Sequence, residues 1–166
     1  GPVEDAVVVR LGAGTGSSNN LTTADEGKAV KFVATDRWDL CAVGDGIDGF
    51  IVAVEPATSG GYTIGSIMQG KKNAQMFYAT ADGLEATAGT GTIAAGDYVV
   101  ASTITAKGTA LAAYQKVVKA TIQPGDVPGS LTAAGAQTLA AMTAWKVVSV
   151  MAGAGAVGTT IVIQRM

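Results

Sequence analysis

The sequence predicts an all-β fold: a small barrel or sandwich of short hairpin-linked strands, with at most one short helix and an extended N-terminal arm. Short apolar runs with alternating or β-branched residues recur along the chain, and glycine-rich turns separate them. Only one segment has helical character, whereas a βαβ arrangement needs several amphipathic helices. Two segments, 27–70 and 94–166, each begin with a glycine, a charged residue and a valine-rich run, which indicates an approximate internal repeat.

The first 26 residues (1–26) predict one strand followed by an arm. Ala6–Leu11 (AVVVRL) is apolar and β-branched, which favours a strand. Gly12–Asn20 (GAGTGSSNN) has too little apolar surface to offset the entropy of ordering it, so we expect a loop or an arm that becomes ordered on a partner. Its glycines also resemble a phosphate-binding loop, but no apolar helical period follows to supply a helix N-terminus, and the arm is the favoured interpretation.

Residues 27–166 are predicted to form a single β-rich domain. In its first apolar run, Val30 and Phe32 alternate with Lys31 and Val33, which is the period of a strand. The same criteria give strands after the arm at 29–35, 38–43, 50–55, 62–69, 74–80, 98–103, 117–122, 145–151 and 159–165.

An alanine-rich insertion, residues 123–144, interrupts the second repeat. Gln123–Ser130 contains two prolines, which end any strand before them. Leu131–Ala144 is the one helical candidate, because alanine is abundant and apolar residues fall near helical spacing, although Gly135 weakens a helix. A short helix and an alanine-rich loop are both open for this segment.

The charge and composition argue against several function classes. Only 14% of the residues are charged, against about 25% in ordinary domains, and the net charge is −2. The lysines and arginines are scattered, which argues against a nucleic-acid partner. No apolar run reaches the length of about 18 residues that predicts a membrane-spanning helix. A surface so poor in charge is typical of a protein that is covered in part by other protein.

The catalytic repertoire of the chain is small. It has no histidine, which removes Ser-His-Asp and Cys-His catalysis and the common zinc sites. Asp45 and Asp48 in GDGIDG have the wrong spacing for a calcium loop, and a solvated turn is the favoured interpretation. Glu55 and Glu85 are candidates for a glycosidase pair, but aromatic residues that wall sugar clefts make up only 5% of the chain. We therefore predict a non-enzyme with no catalytic residue, no cofactor and no metal.

The single cysteine and the two tryptophans are predicted to pack in the interior. Cys41 has apolar neighbours, which favours a buried thiol that packs as a small apolar residue. Trp38 and Trp145 lie in apolar runs at loosely comparable places of the two repeats, which favours core positions. Interface hot spots are the alternative for the two tryptophans.

Several phrases of the sequence resemble the small decoration, or cement, proteins of tailed-bacteriophage heads. GKAVKFVA and TIAAGDYVVAS are similar to the G-x-x-V openings of that family. GFIVAVEPATSGGYTIGSIMQG resembles the phrase that follows there, in which a glycine-led apolar strand and a glycine turn precede a short apolar strand. AWKVVSVMAGAGAVGTTIVIQRM resembles the same phrase at the end of the chain. The likeness covers 27–70 and 94–166, and the insertion 123–144 departs from the shortest members.

The resemblance implies a structural virion protein on the outer surface of an icosahedral head, made in the cytoplasm of the bacterial host. The expected partners are the major capsid protein and further copies of the same chain, in a homotrimer rather than a dimer. Neither nucleic acid nor a membrane is an expected partner. The N-terminal strand and arm would bind the capsid by adding a strand to a neighbour's sheet edge. The candidate contact residues are Val7, Val9, Leu11, Asn19 and Leu21.

Two other function classes are open from the residues alone. An extracellular β-domain of an adhesin, pilus or surface layer has the same kind of composition. A small carbohydrate-acting enzyme would need a cleft with paired carboxylates.

Overall fold

The computed structural model describes residues 6–11, 21–33, 37–42, 44–55, 63–70, 75–81, 93–102, 115–120, 122–124, 142–151 and 160–166. Within these residues the regular secondary structure is β-strand, apart from one short 3-10 turn at Thr23–Asp25 and one helical residue, Met142. The all-β prediction is therefore confirmed. Gly12–Asn20 and most of Leu131–Ala144 lie outside the described residues, so the arm and the helical candidate stay predictions.

Five strands form an N-terminal unit, which is a closed barrel in the order β1-β3-β2-β4-β5. The strands are β1 Ala6–Leu11, β2 Ala29–Val33, β3 Arg37–Leu40, β4 Gly49–Val54 and β5 Thr63–Met68. The ring closes because β1 pairs with both β3 and β5, and all neighbours are antiparallel except β1 and β3. The barrel interior is filled by a cluster of apolar side chains, namely Leu11, Leu21, Val30, Trp38, Ile51, Val54 and Ile67.

Five further strands form a C-terminal unit, a sheet in the order β7-β8-β6-β10-β9. The strands are β6 Met76–Ala81, β7 Val99–Ala101, β8 Lys116–Lys119, β9 Trp145–Val150 and β10 Thr160–Arg165. The two outer strands of this sheet approach each other through one antiparallel bridge, between Tyr98 and Lys146. The C-terminal unit therefore closes on itself with fewer pairs than the N-terminal barrel.

The C-terminal unit repeats every strand pairing of the N-terminal unit. When β6 to β10 are matched in order with β1 to β5, the parallel pair β1–β3 corresponds to β6–β8. The four antiparallel pairs correspond in the same way. The chain is thus built from two copies of one five-stranded arrangement. The repeat includes β1 and β6, which the sequence comparison of 27–70 with 94–166 omitted.

The residue registers and the irregularities also correspond. Leu11 lies opposite Trp38 in the N-terminal unit, and Ala81 lies opposite Val117 in the C-terminal unit. Both units have a β-bulge at the same place, because the pairing with the next strand skips Val52 in β4 and the matching residue of β9. A bulge adds one residue to one strand and fixes the register around it.

A glycine in a left-handed conformation precedes the second strand of each unit. Gly27 has φ +88° and Gly96 has φ +95°, values that residues with a Cβ rarely adopt. Each N–H donates a 2.8 Å hydrogen bond to the matching strand, Gly27 to the oxygen of Ile51 and Gly96 to the oxygen of Val147. This shared turn explains why both sequence repeats begin with glycine.

The two units share a core where they meet. Phe50 of the N-terminal unit stacks on Phe77 of the C-terminal unit, with ring centroids 4.7 Å apart. Trp145, fully buried, packs edge-on against both rings and donates a 2.8 Å hydrogen bond from Nε1 to the backbone oxygen of Ile47. Trp38 is also buried, so the prediction that both tryptophans are core residues is confirmed.

The sequence places the two tryptophans at loosely comparable positions of the two repeats. In the structure their positions are not equivalent. By register, Trp38 matches Val117, whereas Trp145 matches Gly49. The similarity of the surrounding apolar runs hid this difference, because the insertion 123–144 displaces the second half of the repeat along the chain.

Equivalent strand ends face each other at the junction of the units. The guanidinium of Arg165, one residue past Gln164, donates a 2.8 Å hydrogen bond to the backbone oxygen of Gln69, the residue that matches it. Phe50 and Trp145, at the starts of the matching strands β4 and β9, are in ring contact. The first of these two contacts joins matching residues, but the second does not, because Phe50 matches Lys146 and Trp145 matches Gly49, so the junction is not a symmetric, isologous interface.

Candidate interaction surface

The acidic loop between β3 and β4 uses its carboxylates to hold the backbone. Oδ2 of Asp45 accepts hydrogen bonds from the Ala42 N–H and from Nζ of Lys31, both at 2.7 Å. Oδ2 of Asp48 accepts a 2.8 Å hydrogen bond from the Phe32 N–H. This geometry supports the turn interpretation. Within the described segments, no three or more Asp, Glu, Cys or His side chains come together as a metal site would need.

An open groove of about 440 Å³ lies beside this loop, where the two units meet. Its lining includes Lys31, Phe32 and Arg165. The hydrogen bond to the Asp45 carboxylate raises the pKa of Lys31, and the Arg165 guanidinium is bound to a backbone oxygen. Lys31 and Arg165 of the groove therefore make contacts within the protein.

The remaining candidates for a reactive side chain are Cys41, Glu55 and Glu85. Cys41 is buried, and burial raises the pKa of its thiol to about 12, so the nucleophilic thiolate is absent near neutral pH. The matching residue of the C-terminal unit is Ala120, another small residue in a buried position. Glu55 is exposed, and Glu85 lies outside the described residues, so the carboxylate pair that the alternative of a carbohydrate-acting enzyme would need stays untested.

The structure places the candidate contact residues at the N-terminus in different environments. Leu11 is 0% exposed and Leu21 is 9% exposed, and both belong to the barrel core. These two side chains have little or no surface to offer a partner, which corrects their assignment as contact residues. Val7 and Val9 lie in β1, opposite Ile67 and Gly65 of β5, but their side chains are outside the described set. Asn19 lies outside the described residues.

A row of uncharged side chains crosses the outer face of the N-terminal barrel. Val8 of β1 pairs with Ser66 of β5, which pairs with Ala53 of β4. The bulge brings Val52 to the surface beside Ala53, so two consecutive residues face outward. Val8 is 78% exposed and Val52 is 44% exposed. We call these four residues the N-terminal row.

The C-terminal unit has a row at the same register positions. Tyr78 of β6 pairs with Val162 of β10, which pairs with Ser149 of β9, and the bulged Val148 lies beside Ser149. Tyr78 is 51% exposed and Val148 is 39% exposed. Met76, also exposed, extends this row along β6. We call the first four residues the C-terminal row. Tyr78 matches Val8, and Val148 matches Val52.

Sequence reasoning missed both rows. Val7, Val8 and Val9 are identical in type, so alternation could not show which of them faces outward. The bulged valines carried no signal, because a bulge is defined by the partner strand and the sequence alone does not give the pairing.

Comparison of the chain with protein-family models, with curated proteins and with solved structures found no match. In the part of the chain that the structure describes, no helix has the length and hydropathy that a membrane span requires. The surface and interior of the molecule are therefore the basis for assigning a function.

Proposed function

We propose that this protein is a non-catalytic structural protein that decorates the outside of a bacteriophage head and stabilises the lattice of the major capsid protein. The observation that carries the proposal is the pair of uncharged rows, which lie on the outer faces of the N-terminal barrel and the C-terminal sheet of a charge-poor chain. Exposed apolar side chains grouped across neighbouring strands are typical of surfaces that bind other proteins. The resemblance of 27–70 and 94–166 to head decoration proteins supports the same function.

The mechanism of stabilisation is mass action. A protein that binds the assembled lattice and not the separated subunits stabilises the lattice by about 2.7 kcal/mol when its free concentration is 100 times its Kd. Burial of apolar side chains on the capsid surface supplies the attraction, at about 25 cal/mol per Å² of apolar area removed from water. No covalent chemistry, metal or cofactor enters this mechanism.

The proposed assembly is a homotrimer on the outer capsid surface. Several weak contacts per oligomer then act together, because binding through one contact raises the effective concentration at the others. Sedimentation equilibrium should give a mass near three times the 16.5 kDa of the chain. A mass of one chain at all concentrations would contradict the trimer.

The direct test is to mix the purified protein with undecorated heads of the phage that encodes it and to image the particles by electron cryo-microscopy. We expect ordered extra density on the outer surface and a higher melting temperature of the heads. The same heads without added protein are the control. Heads that show neither change at saturating protein would refute the proposed function.

A further inference from the structure

We propose that the N-terminal and C-terminal rows are two equivalent docking faces, each for one copy of the same partner subunit, so that one chain bridges two neighbouring subunits. This inference rests on the proposed function, because it takes the repeated subunit to be the major capsid protein. It adds the number of subunits that one chain contacts and the residues that contact them.

The fold does not require the rows to match. The side chains of Val8 and Tyr78 are exposed, so neither unit needs an apolar residue there to fold. Strands β1 and β6 have the sequences AVVVRL and MFYATA, which differ at every position. Strand order and register account for the shared backbone, but not for exposed apolar side chains at the same register position in both units. The bulged valines of β4 and β9 repeat the coincidence at a second position.

The two rows also have similar chemistry. None of their eight residues is charged, and each row contains one serine, Ser66 in one and Ser149 in the other. Both rows therefore fit an uncharged surface that offers a few hydrogen-bonding groups. Tyr78 is the one aromatic side chain in either row, and aromatic anchors dominate many interfaces. We expect the C-terminal row to bind more strongly than the N-terminal row.

The relation between the units rests on their strand order and register. At the junction Arg165 contacts its matching residue Gln69, whereas Trp145, which matches Gly49, contacts Phe50. The side chains of the junction are therefore not symmetric, and the equivalence of the two rows comes from their matching register positions. A pair of identical subunits related by a local two-fold axis offers two equivalent surfaces in the same way. A capsid lattice contains many such pairs, whereas a single asymmetric partner would not select matching rows.

The test uses Val8→Glu, Tyr78→Glu and the double variant in the full chain. Each substitution puts a charge into one row at an exposed position, so both units should fold. Ala95→Glu is the matched control, because Ala95 is exposed in the turn before β7 and outside both rows. Binding to undecorated heads is measured by co-sedimentation over a range of protein concentrations. Thermal melting followed by circular dichroism reports folding, and Val8→Ser and Tyr78→Ser replace any glutamate variant that does not fold.

We expect each single variant to bind at least about ten-fold more weakly than the wild type, and the double variant to lose binding, because two linked contacts reinforce each other. The control should stay within about two-fold of the wild type. At saturation, the bound protein should approach one chain for every two capsid subunits.

Three results would overturn the inference. Wild-type affinity in either single variant would show that its row makes no contact. If one single variant binds the heads as weakly as the double variant while the other binds like the wild type, only one row docks. If the wild type itself does not bind the heads, the proposed function is refuted, and this inference with it. That outcome differs from a failure of the inference alone, in which the wild type binds and a single variant binds equally well.

Discussion

The N-terminal and C-terminal units have the same strand pairings, but they fill their interiors from different strands. At one pair of matching positions the N-terminal unit has Leu11 and Gly65, whereas the C-terminal unit has Ala81 and Ile161. A Cβ on Gly65 would lie 2.5 Å from Cδ1 of Leu11, so the leucine occupies the space of the missing side chain. Backbone pairing and bulges therefore define this fold, while a large side chain that fills the interior can lie on either of two neighbouring strands.

The units also differ in which glutamine accepts a hydrogen bond from the backbone N–H at the start of the second strand. The N–H of Ala29 in the N-terminal unit donates a 2.8 Å hydrogen bond to Oε1 of Gln115, which belongs to the C-terminal unit. The matching Tyr98 N–H donates a 3.0 Å hydrogen bond to Oε1 of Gln123, within its own unit. The backbone N–H at this position is thus hydrogen-bonded to a glutamine amide oxygen in both units, across the junction in one and within the unit in the other.

The largest expected effect comes from removing the side chain that fills the junction. Trp145→Ala should lower the free energy of unfolding by about 3–5 kcal/mol, because it leaves a large cavity between the units. Trp145→Phe should cost about 1–3 kcal/mol, because it keeps an aromatic ring but leaves the buried oxygen of Ile47 without its donor. Urea unfolding measures both values. Equal costs for the two variants would contradict the separate roles of ring packing and hydrogen bond.

The exchange of volume between strands predicts the next effect. Gly65→Ala should destabilise the protein by about 1–3 kcal/mol, because the added methyl group meets Leu11 and the backbone oxygen of Ala53. In a Leu11→Ala background the same substitution should cost less, since one of the two obstacles is gone. The free energies of unfolding of the wild type, the two single variants and the double variant form a double-mutant cycle. Additive effects would show that Leu11 and residue 65 do not share space.

A smaller effect should separate the two glutamines. Gln115→Met should cost about 1–3 kcal/mol, because Gln115 is 4% exposed and the Ala29 N–H would be buried without an acceptor. Gln123→Met should cost less, because Gln123 is partly exposed and water can replace its amide. Chemical denaturation of the two variants measures which substitution lowers the free energy of unfolding more. A larger cost at Gln123 would contradict the assignment of the junction bond as the more important one.

The smallest effect concerns Cys41 and pH. Its folded-state pKa of about 12 lies above the ordinary value of 9.0, so the native protein retains a proton that the unfolded chain loses between these values. The stability contribution of the thiol is therefore complete below pH 9 and falls as pH rises toward 12. Between pH 8 and 10 the wild type should lose about 1 kcal/mol more than Cys41→Ala. Parallel curves for the two proteins would show that the thiol does not titrate this way.

The sequence was sufficient to predict the strands but not their closure. Alternation in AVKFV and the β-branched run GFIVAV predicted β2 and β4, because the period of two is a local property. The closed order of the N-terminal barrel depends on the pairing of β1 with β5, which are far apart in sequence and carry no local mark of their contact. The repeat was visible in 27–70 and 94–166 because both segments keep the same turn glycine.

The candidate site was harder to predict for a related reason. Leu11 and Leu21 were candidate contact residues because they belong to the N-terminal strand and arm that were expected to add to a neighbour's sheet, but both side chains lie in the barrel core. The outward position of Val8 follows only from the pairing of its strand. A surface formed by single residues from three strands has no continuous sequence pattern, so it becomes visible only when the register is known.

The unequal residues at the junction have a consequence for partner choice. Gly49 and Trp145 hold matching positions, so one unit contributes an indole ring and the other contributes no side chain. The indole of Trp145 packs on Phe50 of the other unit, so the two sides of the junction are not interchangeable. The junction therefore fits one N-terminal unit to one C-terminal unit, rather than two copies of either unit.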